Sequence, residues 1–209
     1  TRSIVIICEE DRIEKVISGQ DAGVGLRILF GGRTFYGFTN QTTDEALFNL
    51  ARRMNRAVKE DDEAQVIRFT DWPQPVSSSP LGRTASFPIQ KDPKGVSTAE
   101  KVSVVKRGNE VARKFDPHVR QVKILYRDFS QALSIANSEG LSVEGESVGT
   151  VFSIQVVSAD GEVIQTGYEP VGGTMGFELF GLHPPEEVAE VSAKRSLLML
   201  SARKAPVGR

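Results

Sequence analysis

One cysteine, two histidines and no excess of either charge set the first limits on this 209-residue chain. Cys8 has no second cysteine to pair with, which excludes an internal disulfide and a thiolate zinc site. His118 and His183 stand alone, and neither an H-E-x-x-H nor a C-x-x-C occurs. Lys plus Arg total 26 against 27 Asp plus Glu, a net charge of -1, so no global basic field draws the chain to nucleic acid. No apolar run is much longer than Ile-Val-Ile-Ile at residues 4–7, whereas a bilayer span needs about 20 apolar residues. No membrane partner is expected, and no charged-then-apolar leader pattern is present. Scarce cysteine fits a reducing compartment, and the expected location is cytoplasmic.

What remains is an ordinary core-forming mixture, 39% hydrophobic and 25% charged, which excludes a collagen, a coiled coil or wholesale disorder. Residues 3–9, 12–18, 25–30 and 33–39 are short β-branched or aromatic runs and read as strands. Gly31-Gly32 between two of them is a two-residue hairpin signal, because both positions tolerate positive φ. The period then changes. Thr42-Thr43-Asp44-Glu45 forms a capping box, with Thr42 as the cap, and Leu47, Leu50, Ala51, Met54 and Val58 follow at helical spacing to about Lys59. Pro73, Pro75, Pro80, Pro88 and Pro93 predict a long irregular excursion over 61–96, with 66–69 as a short strand.

A second capping box, Ser97-Thr98-Ala99-Glu100, opens a helix through Val102, Val105, Ala112 and Phe115, weakened at Gly108 and stopped by Asp116-Pro117. Strands are expected at 119–129, 132–137, 141–144, 150–158 and 162–168, with Asp160-Gly161 as a hairpin turn. Pro184-Pro185 start a last helix whose buried stripe reads as Val188, Val191, Leu198 and Ala202. The fold class is α+β: antiparallel sheets with about three helices packed on them. The organisation expected is a strand-and-helix lobe at 1–60, a Pro-rich loop at 61–96, and a helix, meander and closing helix at 97–209. The opening at Thr1 and the linker-like end make a piece of a longer polypeptide the expectation.

Candidate chemistry is sparse. Gly145-Glu146-Ser147-Val148-Gly149 fits G-x-S-x-G, but a nucleophile elbow needs a helix after the turn and a base, and a strand follows here. The motif therefore reads as a β turn with a surface Ser147. Lys101, Lys106, Arg107, Arg113, Lys114, Arg120, Lys123 and Arg127 are interspersed with Glu100, Glu110, Asp116 and Asp128, and read as a solvated face. Asp61-Asp62-Glu63 has no evident partner. Gly172, Gly173 and Gly176 form a cluster where another backbone, a peptide or the rest of the chain, can approach closely, or where a strand ends in a bulge. No catalytic and no metal residue is assigned.

Several stretches occur together in an order that resembles one family. These are 13–19, the run 23–40 with its Gly-x-Gly-x-Arg strand, glycine hairpin and aromatic-Gly-Phe strand, then 135–140, 165–168, and Gly172-Gly173-Thr174-Met175-Gly176-Phe177-Glu178. Together with the closing helix and Ala205-Pro206 they resemble the N-terminal region of TldD/PmbA proteins, long labelled modulators of DNA gyrase. The ending Gly-Gly-x-x-Gly-Phe-Glu resembles the TldD branch more than the PmbA (TldE) branch. The resemblance implies a further C-terminal domain in which an HExxxH helix and a Cys bind zinc and cleave peptides. This sequence has no HExxxH, so no catalytic residue carries over and zinc is expected only in the missing domain. The implied partners are a peptide or unfolded-protein substrate and a second subunit, in a homodimer or a TldD–TldE-type heterodimer. The expected function is the substrate-chamber and dimerisation region of a zinc-dependent metalloprotease. The alternative is a non-catalytic TldE/PmbA-like partner or interaction module in gyrase modulation, a toxin–antitoxin system or peptide maturation.

Overall fold

The computed structural model describes residues 1–60 and 89–202. The excursion expected at 61–96 falls mostly outside them, as do the short strand at 66–69 and Asp61-Asp62-Glu63. The described chain forms two compact units, one of 1–19 with 89–202 and one of 20–60.

The larger unit is a five-stranded antiparallel sheet with helices on one face. Its strands are β1 (Arg2–Glu9), β2 (Arg12–Gln20), β5 (Val119–Ala136), β6 (Ser142–Asp160) and β7 (Val163–Gly173), in the order β2-β1-β5-β6-β7. The β1–β2 turn places Glu10 and Asp11 at φ 53° and 63°, the doubly left-handed arrangement that suits strand twist. Asp11 is held there by Asn109 Nδ2, which donates to its Oδ1 at 2.5 Å. Asn109 belongs to α2 (Thr98–Lys114), which packs on the same sheet face as α4 (Pro185–Leu200).

Period-2 alternation decides which residues face the helices. Ile4, Ile6 and Cys8 of β1, Val122, Ile124 and Tyr126 of β5, and Phe152, Ile154 and Val156 of β6 are buried against Val104, Val105, Ala112, Val188, Ala189 and Ala193. Cys8 is 2% exposed, and burial first, then the Asp11 charge, raise its thiol above the ordinary value.

Four expectations change here. β5 and β6 are single long strands of 18 and 19 residues rather than two short strands each. The turn expected at 145–149 is mid-strand: Gly149 is glycine because a Cβ there would meet the Phe129 ring at 2.4 Å. Gly108 does not interrupt α2; it gives room to Ile154 Cδ1, 3.0 Å from where a Cβ would lie. The buried stripe of α4 is Val188, Ala189, Ser192, Ala193 and Ser196, while Val191 and Leu198 are 37% and 71% exposed. The cause is Gly167 in β7: a Cβ on it would lie 1.9 Å from the Ser192 carbonyl oxygen and 2.6 Å from Ser196 N. A helix seated that close admits only small side chains. Its serines bond the sheet directly, Ser192 Oγ donating to the Ile154 and Gly167 carbonyls at 3.0 and 3.1 Å and Ser196 Oγ lying 2.7 Å from Ser158 Oγ.

The smaller unit is a hairpin of β3 (Val24–Phe30) and β4 (Arg33–Thr39) with α1 (Asp44–Lys59). Gly31 and Gly32 turn it at φ 61° and 75°, as their sequence predicts. The cap of α1 is Thr43, one residue later than expected; its hydroxyl accepts from Ala46 N at 3.4 Å. Leu50 and Met54 are buried and crowd over Gly37.

Replacing Gly167 with Ala forces α4 off the sheet and is expected to destabilise the chain by about 3 kcal/mol. Gly145→Ala, where a Cβ meets nothing within 4 Å, is expected to stay within about 0.5 kcal/mol of the wild type. Equal urea midpoints for the two variants would contradict this account of α4.

Candidate functional site

The glycine cluster lies where β7 leaves the sheet. Gly172 pairs with Val151 and Gly173 with Thr150, and β7 is last in the strand order. None of the three glycines has positive φ, so no left-handed turn requires them. A Cβ on Gly172 would meet the Thr150 carbonyl oxygen at 2.7 Å. Gly173 is exposed, with nothing nearer its Cβ position than Met175 Cε at 3.9 Å. Gly176 is buried, and its Cβ position is 2.2 Å from the Lys91 carbonyl oxygen. The backbone that approaches Gly176 is thus the chain's own.

That approach is a strap. Phe177 N donates to the Lys91 carbonyl at 2.8 Å, Lys91 N donates to Glu178 Oε2 at 2.9 Å, and Gly176 N donates to Glu178 Oε1 at 2.8 Å. Burial alone would raise the Glu178 carboxyl. The backbone N–H groups of Gly176, Glu178, Lys91 and Gln90 outweigh burial and hold it below its ordinary value. After the strap, a 3₁₀ turn (Pro93–Gly95) leads into α2. Beneath it, Phe177 and Phe180 pack on Tyr126 with centroids 6.3 and 5.9 Å away, Phe180 lying in the short α3 (Leu179–Leu182).

Beside these rings is a buried polar cluster that sequence reading missed. Lys101 Nζ and Tyr126 Oη both donate to Asp128 Oδ2 at 2.6 Å. Lys101 is 5% exposed and Asp128 6%, so the basic stretch is not uniformly a solvated face. The partners are 27 residues apart on a helix and a strand, and no local spacing marks them. Burial, then the bond to Asp128, push the Tyr126 phenol far above its ordinary value, so it remains a hydroxyl donor. The cluster is closed to solvent and serves as an internal tie.

The other candidates stay apart. Ser147 is exposed in β6 opposite Gln131, while His118 precedes the far end of β5, some 40 Å away at about 3.3 Å per residue. His118 Nδ1 lies 2.7 Å from Asp116 Oδ1, and His183 follows α3. Among the described residues no three of His, Cys, Asp and Glu converge on a position a metal could fill. A zinc ion therefore has no fitting ligand set among the described residues. Among the same residues no helix is long and apolar enough to cross a membrane.

Two family models match the chain: the PmbA/TldA metallopeptidase domain 1 over residues 1–59 and the PmbA/TldA metallopeptidase central domain over 91–200. The chain belongs to the PmbA/TldD family. It is 25% identical over 210 residues to a metalloprotease of Methanothermobacter thermautotrophicus, covering 100% of this chain and 43% of that one. A Methanocaldococcus jannaschii metalloprotease is 24% identical, covering 99% and 44%. The chain thus spans less than half the length of the curated relatives it matches. The fold is that of a Thermotoga maritima protein described as a modulator of a DNA gyrase, with TM-score 0.75, 18% identity, and 99% and 44% of the two chains covered. TldE from Thermococcus kodakarensis gives TM-score 0.66 at 15% identity, covering 94% and 42%.

Two variants test the ties. Lys101→Met leaves Asp128 buried without its cation and is expected to cost about 3–5 kcal/mol, read from urea unfolding. Glu178→Gln removes the charge from the strap and is expected to speed amide exchange at Lys91 about tenfold. In the wild type the Glu178 contribution is complete above about pH 4.5, its ordinary value, and is lost as pH falls through the lowered folded value. Strap protection that weakens on raising the pH from 5 to 7 would reverse this sign.

Proposed function

We propose that this chain is the N-terminal region of a zinc-dependent metalloprotease that cleaves peptides or unfolded proteins, shaping the substrate chamber and the subunit contact while a further domain holds the metal. The observation that carries this reading is the pairing of coverage and name: both family domains match in order, and the relatives named metalloprotease are more than twice as long. The exposed Gly173 at the end of the edge strand β7, with nothing nearer its Cβ position than 3.9 Å, gives an extended peptide room to lie against the backbone. Main-chain hydrogen bonds of that kind tolerate many sequences, as a peptidase acting on unfolded chains requires. The reading includes a cytoplasmic location.

The test is to read the coding sequence beyond Arg209, express the longer chain, and compare it with residues 1–209. The longer chain is expected to carry HExxxH, bind zinc stoichiometrically and lose peptide cleavage on chelation, whereas 1–209 cleaves nothing. Zinc-independent cleavage by the longer chain, or hydrolysis by 1–209 alone, overturns the proposal. A longer chain without HExxxH that binds a catalytic subunit replaces it with the non-catalytic partner.

A further inference from the structure

The β3–β4 hairpin has two faces, and the fold accounts for one of them. Gly37 lies under α1, its Cβ position 2.7 Å from Met54 Sδ and 3.0 Å from Leu50 Cδ1. Side chains alternate along a strand, so Tyr36 and Phe38 on either side of Gly37 point away from that helix. They are 62% and 74% exposed. Two neighbouring rings left in water add nothing to the packing of this unit, and contiguous exposed apolar surface marks an interaction site. With Arg27 and Gly25 they are the outward residues of the Gly-x-Gly-x-Arg and aromatic-Gly-Phe strands.

The strand register frames the rings. Arg27 stands directly opposite Tyr36, and Gly25 directly opposite Phe38. Tyr36 leans diagonally onto Gly25, where a Cβ would meet its Oη at 2.7 Å, its Cε2 at 3.2 Å and its Cζ at 3.3 Å. The glycine thus lets the ring lie down across β3, with one side on backbone and the other toward solvent. Arg27 carries the only charge on this face, and its guanidinium carbon is 6.0 Å from the Tyr36 ring centroid. Tyr36 and Phe38 are two residues apart, which spaces their rings by about 6.6 Å along the strand.

We propose that this face captures an extended peptide segment, with alternate aromatic or aliphatic side chains stacked on Tyr36 and Phe38 and an acidic group at Arg27. Three features select that occupant. An extended chain repeats its same-face side chains at the spacing of the two rings. Tyrosine and phenylalanine offer a large contact at little cost in side-chain entropy, and one ring is already laid flat. The guanidinium supplies a cation for one carboxylate. A single-stranded nucleic acid would also stack on the rings, but it brings a phosphate with every nucleotide, and one arginine does not answer that charge. The inference rests on the proposed function, in which unfolded chains are the substrate, and adds a capture site on the hairpin. It concerns binding and not cleavage, so its failure leaves the peptidase reading standing.

Fluorescence anisotropy on the chain tests it. The probe is a fluorescein-labelled heptapeptide that alternates serine with phenylalanine and carries one glutamate. The comparison probes are the same peptide with lysine for the glutamate, and a labelled single-stranded oligothymidylate. The wild type is expected to bind the glutamate peptide most tightly. Tyr36→Ala/Phe38→Ala is expected to raise the dissociation constant about tenfold or more. Arg27→Gln is expected to abolish the preference for glutamate over lysine. Gly25→Val, whose side chain meets only the movable end of Tyr36, is expected to keep the melting temperature and weaken binding about fivefold by lifting the ring. Phe48→Ser, 66% exposed in the wild type on α1, is the control and is expected to bind as the wild type does. A wild type that binds no peptide, a double variant that binds as tightly as the wild type, or an Arg27→Gln variant that keeps the preference overturns the proposal. Equal loss of binding in Phe48→Ser, or tighter binding of the oligothymidylate than of the glutamate peptide, overturns it as well.

Discussion

The larger unit depends on how closely one helix lies on the sheet at one residue. Gly167 has no side chain, and the backbone of α4 occupies the place where one would be. Everything else about that helix follows. Where it crosses Gly167 its inner face is alanine and serine because nothing larger fits, and the serine hydroxyls reach sheet carbonyls that longer side chains would cover. The apolar Leu198 and Val191 are left facing outward. Arg195 completes the seat by donating to the Tyr168 carbonyl at 2.7 Å and pairing with Glu169. Dispersion over a close, flat contact and buried hydroxyl bonds replace interdigitated leucines.

The other end of the sheet is organised by polar groups. Asp128 gathers a lysine and a tyrosine hydroxyl in the interior, and Glu178 gathers two backbone amides at the strap. Both carboxylates act across large sequence separations, so each joins elements that chain connectivity leaves independent. The aromatic group of Tyr126, Phe152, Phe177 and Phe180 lies with the tyrosine hydroxyl on Asp128. The motif Gly176-Phe177-Glu178 is thereby explained residue by residue: room for the strap, an aromatic plug and a carboxylate clasp.

Much of this was legible in the sequence where the cause is local. The Gly31-Gly32 hairpin, the end of α1 at Lys59 and the stop of α2 before Pro117 rest on turn and capping chemistry within a few residues. The α+β class followed from the change of hydrophobic period, and the family from the order of its motifs. What was hidden depends on distant partners. Gly145 and Gly149 look like strand breakers until Phe129 is seen lying over one of them. Lys101 looks solvated until Asp128 is placed beside it. In α4 apolarity does not mark burial: the close approach at Gly167 selects small side chains, and Leu198 faces outward. Of the candidate site, the glycine cluster was visible, but not that Gly176 and Gly172 are filled by the chain's own backbone.

Cys8 lies inside the layer between β1 and α2, and it is the only sulfhydryl in the chain. An alkylating reagent in solvent reaches it only when those two elements part. Its rate of labelling is therefore a built-in clock for the opening of β1 from α2, legible without adding any probe to the molecule.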